Sequence, residues 1–120
     1  MKRDNVLKEK SFAFALRIIK LYKYLANEKK EYVIAKQVLR SGTSVGALIE
    51  EANQAESKAD FIHKLSIANK EANETHYWLR LLKESEYISD KQFQHLIIDN
   101  EELMKLLTSS IKTSKQNLIK

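Results

Sequence analysis

Histidines and carboxylates are the residues of this 120-residue chain whose types and spacing would suit metal or acid–base chemistry. A di-iron helical bundle requires two Glu-x-x-His pairs on facing helices and two further carboxylates. The chain offers only Asp60-x-x-His63 and Gln92-x-x-His95, and its third histidine, His76, falls on a polar helix row. The spacing therefore predicts no metal site, and we expect neither a metal nor a cofactor.

Other catalytic arrangements find no more support in the sequence. Glu71 and Glu74 could form a carboxylate pair, but the lysines and asparagines around them are typical of a hydrated helix face. No motif pairs a serine with a base, and the absence of cysteine excludes thiolate zinc sites, disulfides and cysteine nucleophiles. We interpret the chain as a non-enzymatic protein.

Four helical segments follow from the spacing of the apolar residues. The first is predicted from about Asp4 to Asn27, with Leu7, Phe14, Ile18, Leu21 and Leu25 on one stripe, and the second from about Glu31 to Ala55. Ser57 with Asp60, and Ser89 with Gln92, are capping signals for the third and fourth helices. The heptad seams of the last three helices include polar residues, namely Ser41, Thr75 and Asn100.

The connections between these segments are short, and the chain contains no proline. Consecutive helices are then antiparallel neighbours, which predicts an all-α fold: one domain over residues 1–120, an antiparallel up-down-up-down four-helix bundle with left-handed packing. The same spacing also fits two helical hairpins exchanged between subunits. Because the longest apolar run is only Phe12 to Leu16, we predict no membrane span and no signal peptide, and hence a cytoplasmic protein.

Both glycines of the chain, Gly42 and Gly46, lie inside the second helix, where each costs about 0.5 to 1 kcal/mol relative to alanine. They fall beside the heptad seam, among other small residues. This pattern favours close approach of another helix, either within the chain or from a second subunit. A ligand groove is the further alternative. Arg40 and Glu51 bracket the small-residue segment and are predicted to form ion pairs with the third helix or with another subunit.

The net charge of +5 is unevenly distributed along the sequence. Residues 1–40 carry eleven Lys/Arg and four Asp/Glu, a net charge of +7, whereas residues 41–120 carry ten and twelve, a net charge of −2. The local excess fits a solvated lysine-rich surface or an anionic partner such as RNA or DNA. The candidate nucleic-acid-binding residues are Lys8, Lys10, Arg17, Lys20, Lys23, Lys36 and Arg40.

Apolar residues exceed what one bundle can bury. Phe12, Leu16 and Ile19 form a second stripe on the first helix, beside the one that a bundle needs. Exposed stripes of this kind mark interaction surfaces, so we predict a homo-oligomer. Its candidate interface residues are Phe12, Leu16, Ile19, Gly42, Gly46 and Trp78.

Two sequence blocks resemble a known family. The first contains Gln37, Arg40, Ser44, Val45, Ile49 and Glu51, and the second contains Asp60, Phe61, Leu65, Ile67 and Ala68. In this order they resemble the 23S rRNA intervening-sequence proteins, also called S23-like proteins. The chain departs from the family pattern at Leu48 and Ala52, where asparagine and glycine are common.

The resemblance implies a helical bundle that assembles as a ring-like homo-oligomer, typically a pentamer. Some family members are encoded within insertions in ribosomal RNA genes, and basic accessory proteins of diversity-generating retroelements share the fold. On this basis we expect a non-catalytic, RNA-associated accessory protein. The alternative is a protein-protein interaction scaffold that does not bind nucleic acid.

Overall fold

A computed structural model describes residues 2–119 of the chain, and the side chains of residues 6–117. It contains four helices: α1 (Lys2–Asn27), α2 (Val33–Asn53), α3 (Lys58–Glu84) and α4 (Asp90–Ile119). Within one chain, α2 packs against α1 and α3, α4 packs against α3, and α4 closes the bundle more sparsely against α1. The four-helix bundle predicted from the sequence is confirmed, and the described residues contain no strand.

The helix ends follow from local chemistry. The Ser57 hydroxyl accepts a hydrogen bond from the Asp60 amide (3.0 Å), which caps α3 as predicted. At the start of α4, the Ser89 amide donates to Gln92 Oε1 (2.8 Å) and the Gln92 amide donates to Ser89 Oγ (3.1 Å). This reciprocal pair is a complete capping box.

The second helix is shorter than predicted from the sequence by two residues at each end. Lys30 adopts a left-handed backbone conformation (φ 54°), so the turn continues to Tyr32. The Glu31 carboxylate then accepts a hydrogen bond from the Ala35 amide (2.8 Å) and satisfies one of the free donors of the first turn. At the other end, α2 stops at Asn53, and Gln54 is its C-cap.

The core lies along the bundle axis. The predicted α1 stripe is buried throughout, from Leu7 to Leu25. The polar residues predicted in the seams are buried as well, and they are hydrogen-bonded: the Ser41 and Thr75 hydroxyls lie 2.9 Å apart, and Asn100 Nδ2 donates to the Ala72 carbonyl (3.1 Å). These contacts join α2 to α3 and α3 to α4.

Close helix approach at the glycines occurs within the chain. A Cβ atom added at Gly42 would lie 2.8 Å from Ile18 Cγ1, whereas one added at Gly46 would lie 3.4 Å from the Ser11 carbonyl oxygen. The first distance is far inside van der Waals contact and the second is ordinary contact. Gly42 is therefore required by α1–α2 packing much more strictly than Gly46. Over residues 2–119, no helix has the length and apolar composition needed to cross a membrane.

Candidate nucleic-acid interface

Four of the seven predicted nucleic-acid-binding residues are engaged in ion pairs. Lys8 lies 3.8 Å from Glu50 on α2, and Lys10 lies 3.2 Å from Glu102 on α4. Arg17 and Arg40 also pair with carboxylates on other helices, as described below. Because the side chains of the four cations are about half exposed, the pairs do not prevent contact with an anion, but a phosphate would have to compete with the protein's own carboxylates.

Arg17 and Lys10 connect α1 to α4, where the bundle closes most sparsely. The Arg17 guanidinium donates to the Asp99 carboxylate, 82 residues away in the sequence. With the Lys10–Glu102 pair, this gives two ion pairs between α1 and α4. We infer that these two cations contribute to bundle closure.

Arg40 is the most constrained of the seven cations. Its guanidinium donates to Glu71 Oε1 (2.8 Å) and also to Glu74, whose Oε2 accepts a hydrogen bond from the Trp78 indole N–H (2.9 Å). The hydrogen bonds to Glu74 and Glu71 raise the pKa of Arg40 above its ordinary value. The Trp78 hydrogen bond, followed by that from Arg40, lowers the pKa of Glu74. The predicted ion pair between Arg40 and α3 is thus present.

Glu51 has its own partner on α3. Lys64 Nζ lies 3.0 Å from Glu51 Oε1, and this hydrogen bond raises the pKa of Lys64. The two charges that bracket the small-residue segment of α2, Arg40 and Glu51, therefore both pair with α3 and not with each other.

The other three predicted cations, Lys20, Lys23 and Lys36, are exposed. Within the described residues, none of the three makes an ion pair with a carboxylate. Lys20 and Lys23 lie on α1 and Lys36 lies on α2. Their ammonium groups are available to an anion from solvent.

These lysines share the outer side of the α1–α2 pair. The contacts of Ile18 with Gly42 and of Ser11 with Gly46 fix the antiparallel register of the two helices. If both helices continue regularly from these contacts, at 3.6 residues per turn, Lys23 of α1 lies opposite Lys36 of α2. We call this surface the α1–α2 face. It comprises Phe12, Leu16, Ile19, Lys20 and Lys23 of α1, the α2 N-cap residue Tyr32, and Lys36, Thr43, Ala47 and Glu50 of α2.

The half of the α1–α2 face that lies away from the lysines is apolar. Phe12, Leu16 and Ile19 are 65%, 50% and 37% exposed. They follow the four-three spacing of one helix row, which continues to Lys23. A groove beside this row is lined by Phe12, Ala15, Thr43, Gly46, Ala47 and Glu50, together with Ser11. The predicted second stripe of α1 is therefore on the surface.

The remaining predicted interface residues lie elsewhere. Gly42 is buried inside the chain against Ile18, so it contributes nothing to the outer surface, and Gly46 is only partly exposed at the floor of the groove. Trp78 is half-buried on α3, with its ring edge-on to Tyr77 at a centroid distance of 5.0 Å. Trp78 and the α1 stripe do not form one patch.

Sequence reasoning missed four exposed apolar or aromatic residues. They are Tyr32, Val33, Tyr77 and Ile98, which are 50%, 74%, 48% and 60% exposed. Tyr32 and Val33 follow the polar segment "NEKKE", which reads only as a helix break. Nothing in the spacing of these residues distinguishes them from the partly buried aromatics of the bundle.

Three of the groups that we considered for metal or acid–base chemistry, His76, Glu71 and Glu74, form contacts between helices. His76 Nε2 lies 3.0 Å from Glu101 Oε2 and joins α3 to α4, while the Glu71 and Glu74 carboxylates bind Arg40. His63 and His95 are exposed. In the described part of the chain, no three histidine, aspartate or glutamate side chains are grouped so as to hold a metal ion.

A family model matches residues 3–109 of the chain, a range that contains both sequence blocks. The chain belongs to the family of 23S rRNA-intervening sequence proteins. It is similar to a crystallised protein of unknown function from the S23 ribosomal protein family of Bacteroides thetaiotaomicron VPI-5482. The two are 60% identical, with a TM-score of 0.91, over 92% of this chain and 98% of that one. No curated protein matches the chain.

Proposed function

We propose that this family member is a non-catalytic accessory protein that binds nucleic acid, RNA in particular, through phosphate contacts on the α1–α2 face. The observation that carries the proposal is the group of exposed lysines without carboxylate partners, Lys20, Lys23 and Lys36. Lysine ammonium groups bind phosphates without reading bases. The name of the family, which refers to an rRNA insertion, supports RNA as the polymer.

The experiment measures fluorescence anisotropy of a labelled RNA while salt is raised from about 50 to 200 mM. Binding is expected to weaken steeply, because each phosphate contact releases counterions. The triple variant Lys20→Gln, Lys23→Gln, Lys36→Gln is expected to flatten the slope of log K against log salt by about 2 to 3, since each lost contact accounts for about 0.7 to 0.9.

The matched control removes the same charge from other faces. Lys70 on α3 and Lys91 and Lys105 on α4 are also exposed and have no ion pair in the described structure. Their triple glutamine variant is expected to retain most of the salt slope. Equal losses in the two triple variants would mean that only net charge matters, and no RNA binding at low salt would contradict the proposal and favour the scaffold alternative.

We further propose that the apolar half of the α1–α2 face binds a second copy of the chain. The exposed apolar side chains of Phe12, Leu16 and Ile19 form a row of the kind that marks an interaction surface. The groove beside this row is lined mainly by small side chains, which allow close packing of a partner. Glu50 lines this groove, and Lys8 and Glu9 line an adjoining pocket that shares Phe12 and Glu50 with it. Charges of both signs beside the apolar row suit contact with the mixed-charge surface of a second copy. The expected order, a pentamer, follows from the family resemblance alone.

Light scattering coupled to size exclusion tests the assembly. Leu16→Glu places a carboxylate in the proposed contact and is expected to dissociate the oligomer. Ile98→Glu is the control, because Ile98 is comparably exposed (60%) but lies on α4. A wild-type monomer at micromolar concentration would contradict self-association, and a dimer or tetramer would contradict only the pentamer.

A further inference from the structure

Tyr32 occupies a position whose usual structural role it does not perform. It is the N-cap residue of α2, where serine, threonine, aspartate and asparagine are preferred because their side chains accept a backbone hydrogen bond. The Tyr32 side chain makes no such bond, and Glu31 takes over by accepting from the Ala35 amide. Tyr32 is 50% exposed, so it is not a core residue either.

The ring is also unused by other aromatic or cationic groups. Among the described residues, Lys29 lies over Tyr24, Arg80 over Tyr77 and Lys83 over Phe93, but no cation and no second ring packs on Tyr32. Its face is therefore free for a planar ligand. The next residue in the sequence, Val33, is also exposed (74%).

Several lysines flank Tyr32 along the sequence and in the register of α1 against α2. Lys36 lies one helical turn after Tyr32, and its amide donates to the Tyr32 carbonyl (3.3 Å). Lys23 lies opposite Lys36 on α1, and Lys29 and Lys30 belong to the turn that leads to Tyr32. An exposed aromatic residue near several lysines is the combination that binds a base and its neighbouring phosphates together.

We propose that the ligand of the α1–α2 face is single-stranded nucleic acid, with one base stacked on Tyr32 and the flanking phosphates held by Lys23 and Lys36. This inference rests on the proposed function. Paired bases in a duplex are already stacked on each other and cannot cover a side-chain ring without being unpaired. A surface that bound only duplex phosphates would gain nothing from the ring, whereas a single strand gains base–aromatic contact.

The test compares a labelled oligouridine of about 20 nucleotides, a length that exceeds one such site, with an RNA duplex of the same length. The wild-type protein is expected to bind the single strand more tightly. Tyr32→Leu is expected to weaken single-strand binding at least about fivefold while leaving duplex binding and the salt slope unchanged, and Tyr32→Phe is expected to retain the affinity. Tyr77→Leu is the control, since Tyr77 is 48% exposed on α3.

The outcomes separate the two proposals. If the lysine triple variant loses binding but Tyr32→Leu equals the wild type or Tyr77→Leu, phosphate binding stands and the stacking inference is overturned. If Tyr32→Leu weakens single strand and duplex equally, the ring has no selective role, which also overturns it. If neither RNA binds at low salt, the proposed function itself fails.

Discussion

Alanine substitution at the two glycines is expected to have opposite effects on stability. Each change gains about 1 kcal/mol of helix propensity. At Gly42 the new Cβ would lie 2.8 and 2.9 Å from Cγ1 and Cγ2 of Ile18, about 0.6 Å or more inside the optimal carbon–carbon separation. Ile18 is fully buried and β-branched, so it cannot rotate away.

The magnitude follows from comparing the two sites. Overpacking costs about 1 to 3 kcal/mol, so Gly42→Ala is expected to lower the free energy of unfolding by about 0 to 2 kcal/mol. At Gly46 the nearest atom is 3.4 Å away, and Gly46→Ala is expected to raise it by as much as about 1 kcal/mol. Because the propensity gain is common to both variants, their difference measures the clash.

The assay is urea unfolding followed by circular dichroism, at one protein concentration because association adds to apparent stability. A double-mutant cycle with Ile18→Ala identifies the clashing partner. Truncating Ile18 leaves space for the methyl group that Gly42→Ala adds, so the double variant is expected to be more stable than the two single losses predict, by about 1 to 3 kcal/mol. A Gly42→Ala variant as stable as Gly46→Ala would refute the close-approach reasoning.

Three further predictions concern polar groups that the bundle holds in place. Asn100 is fully buried and its Oδ1 has no hydrogen-bond partner, so the Asn100→Leu variant is expected to be as stable as the wild type or up to about 1 kcal/mol more stable. In urea unfolding, a loss of stability as large as that of Asn100→Ala would contradict this expectation. The pKa of Glu74 is lowered below its ordinary 4.5, so the contribution of the Glu74 carboxylate to stability is complete above pH 4.5 and is lost as pH falls through the folded-state pKa. Trp78→Phe removes the indole hydrogen bond to Glu74 and should reduce this loss of stability in acid, as measured by thermal unfolding at a series of pH values. Ser89→Ala should cost about 1 kcal/mol by removing the α4 cap, and an unchanged melting temperature would argue against the cap.

The sequence by itself determined the fold because its signals are local. The spacing of Leu7 to Leu25 specifies the buried side of α1, and Ser57 and Ser89 specify where α3 and α4 begin. Each signal involves residues within one or a few helical turns, so no knowledge of the partner helix is needed to interpret it. The boundary error at the start of α2 arose where Glu31 caps from outside the helix and Lys30 adopts a left-handed conformation.

The tertiary structure alone decided which cations lack a carboxylate partner and which glycine lies closest to α1. Arg17 forms an ion pair with Asp99, 82 residues away, and Arg40 pairs with Glu71 and Glu74 on α3. Lys23, by contrast, pairs with no carboxylate among the described residues. Seven cations that the sequence alone does not divide into groups thus differ in whether a carboxylate lies within reach of each. The physical reason is that ion pairing and steric contact depend on distances of a few ångströms between helices, and those distances are set by packing, which local spacing along one helix does not encode.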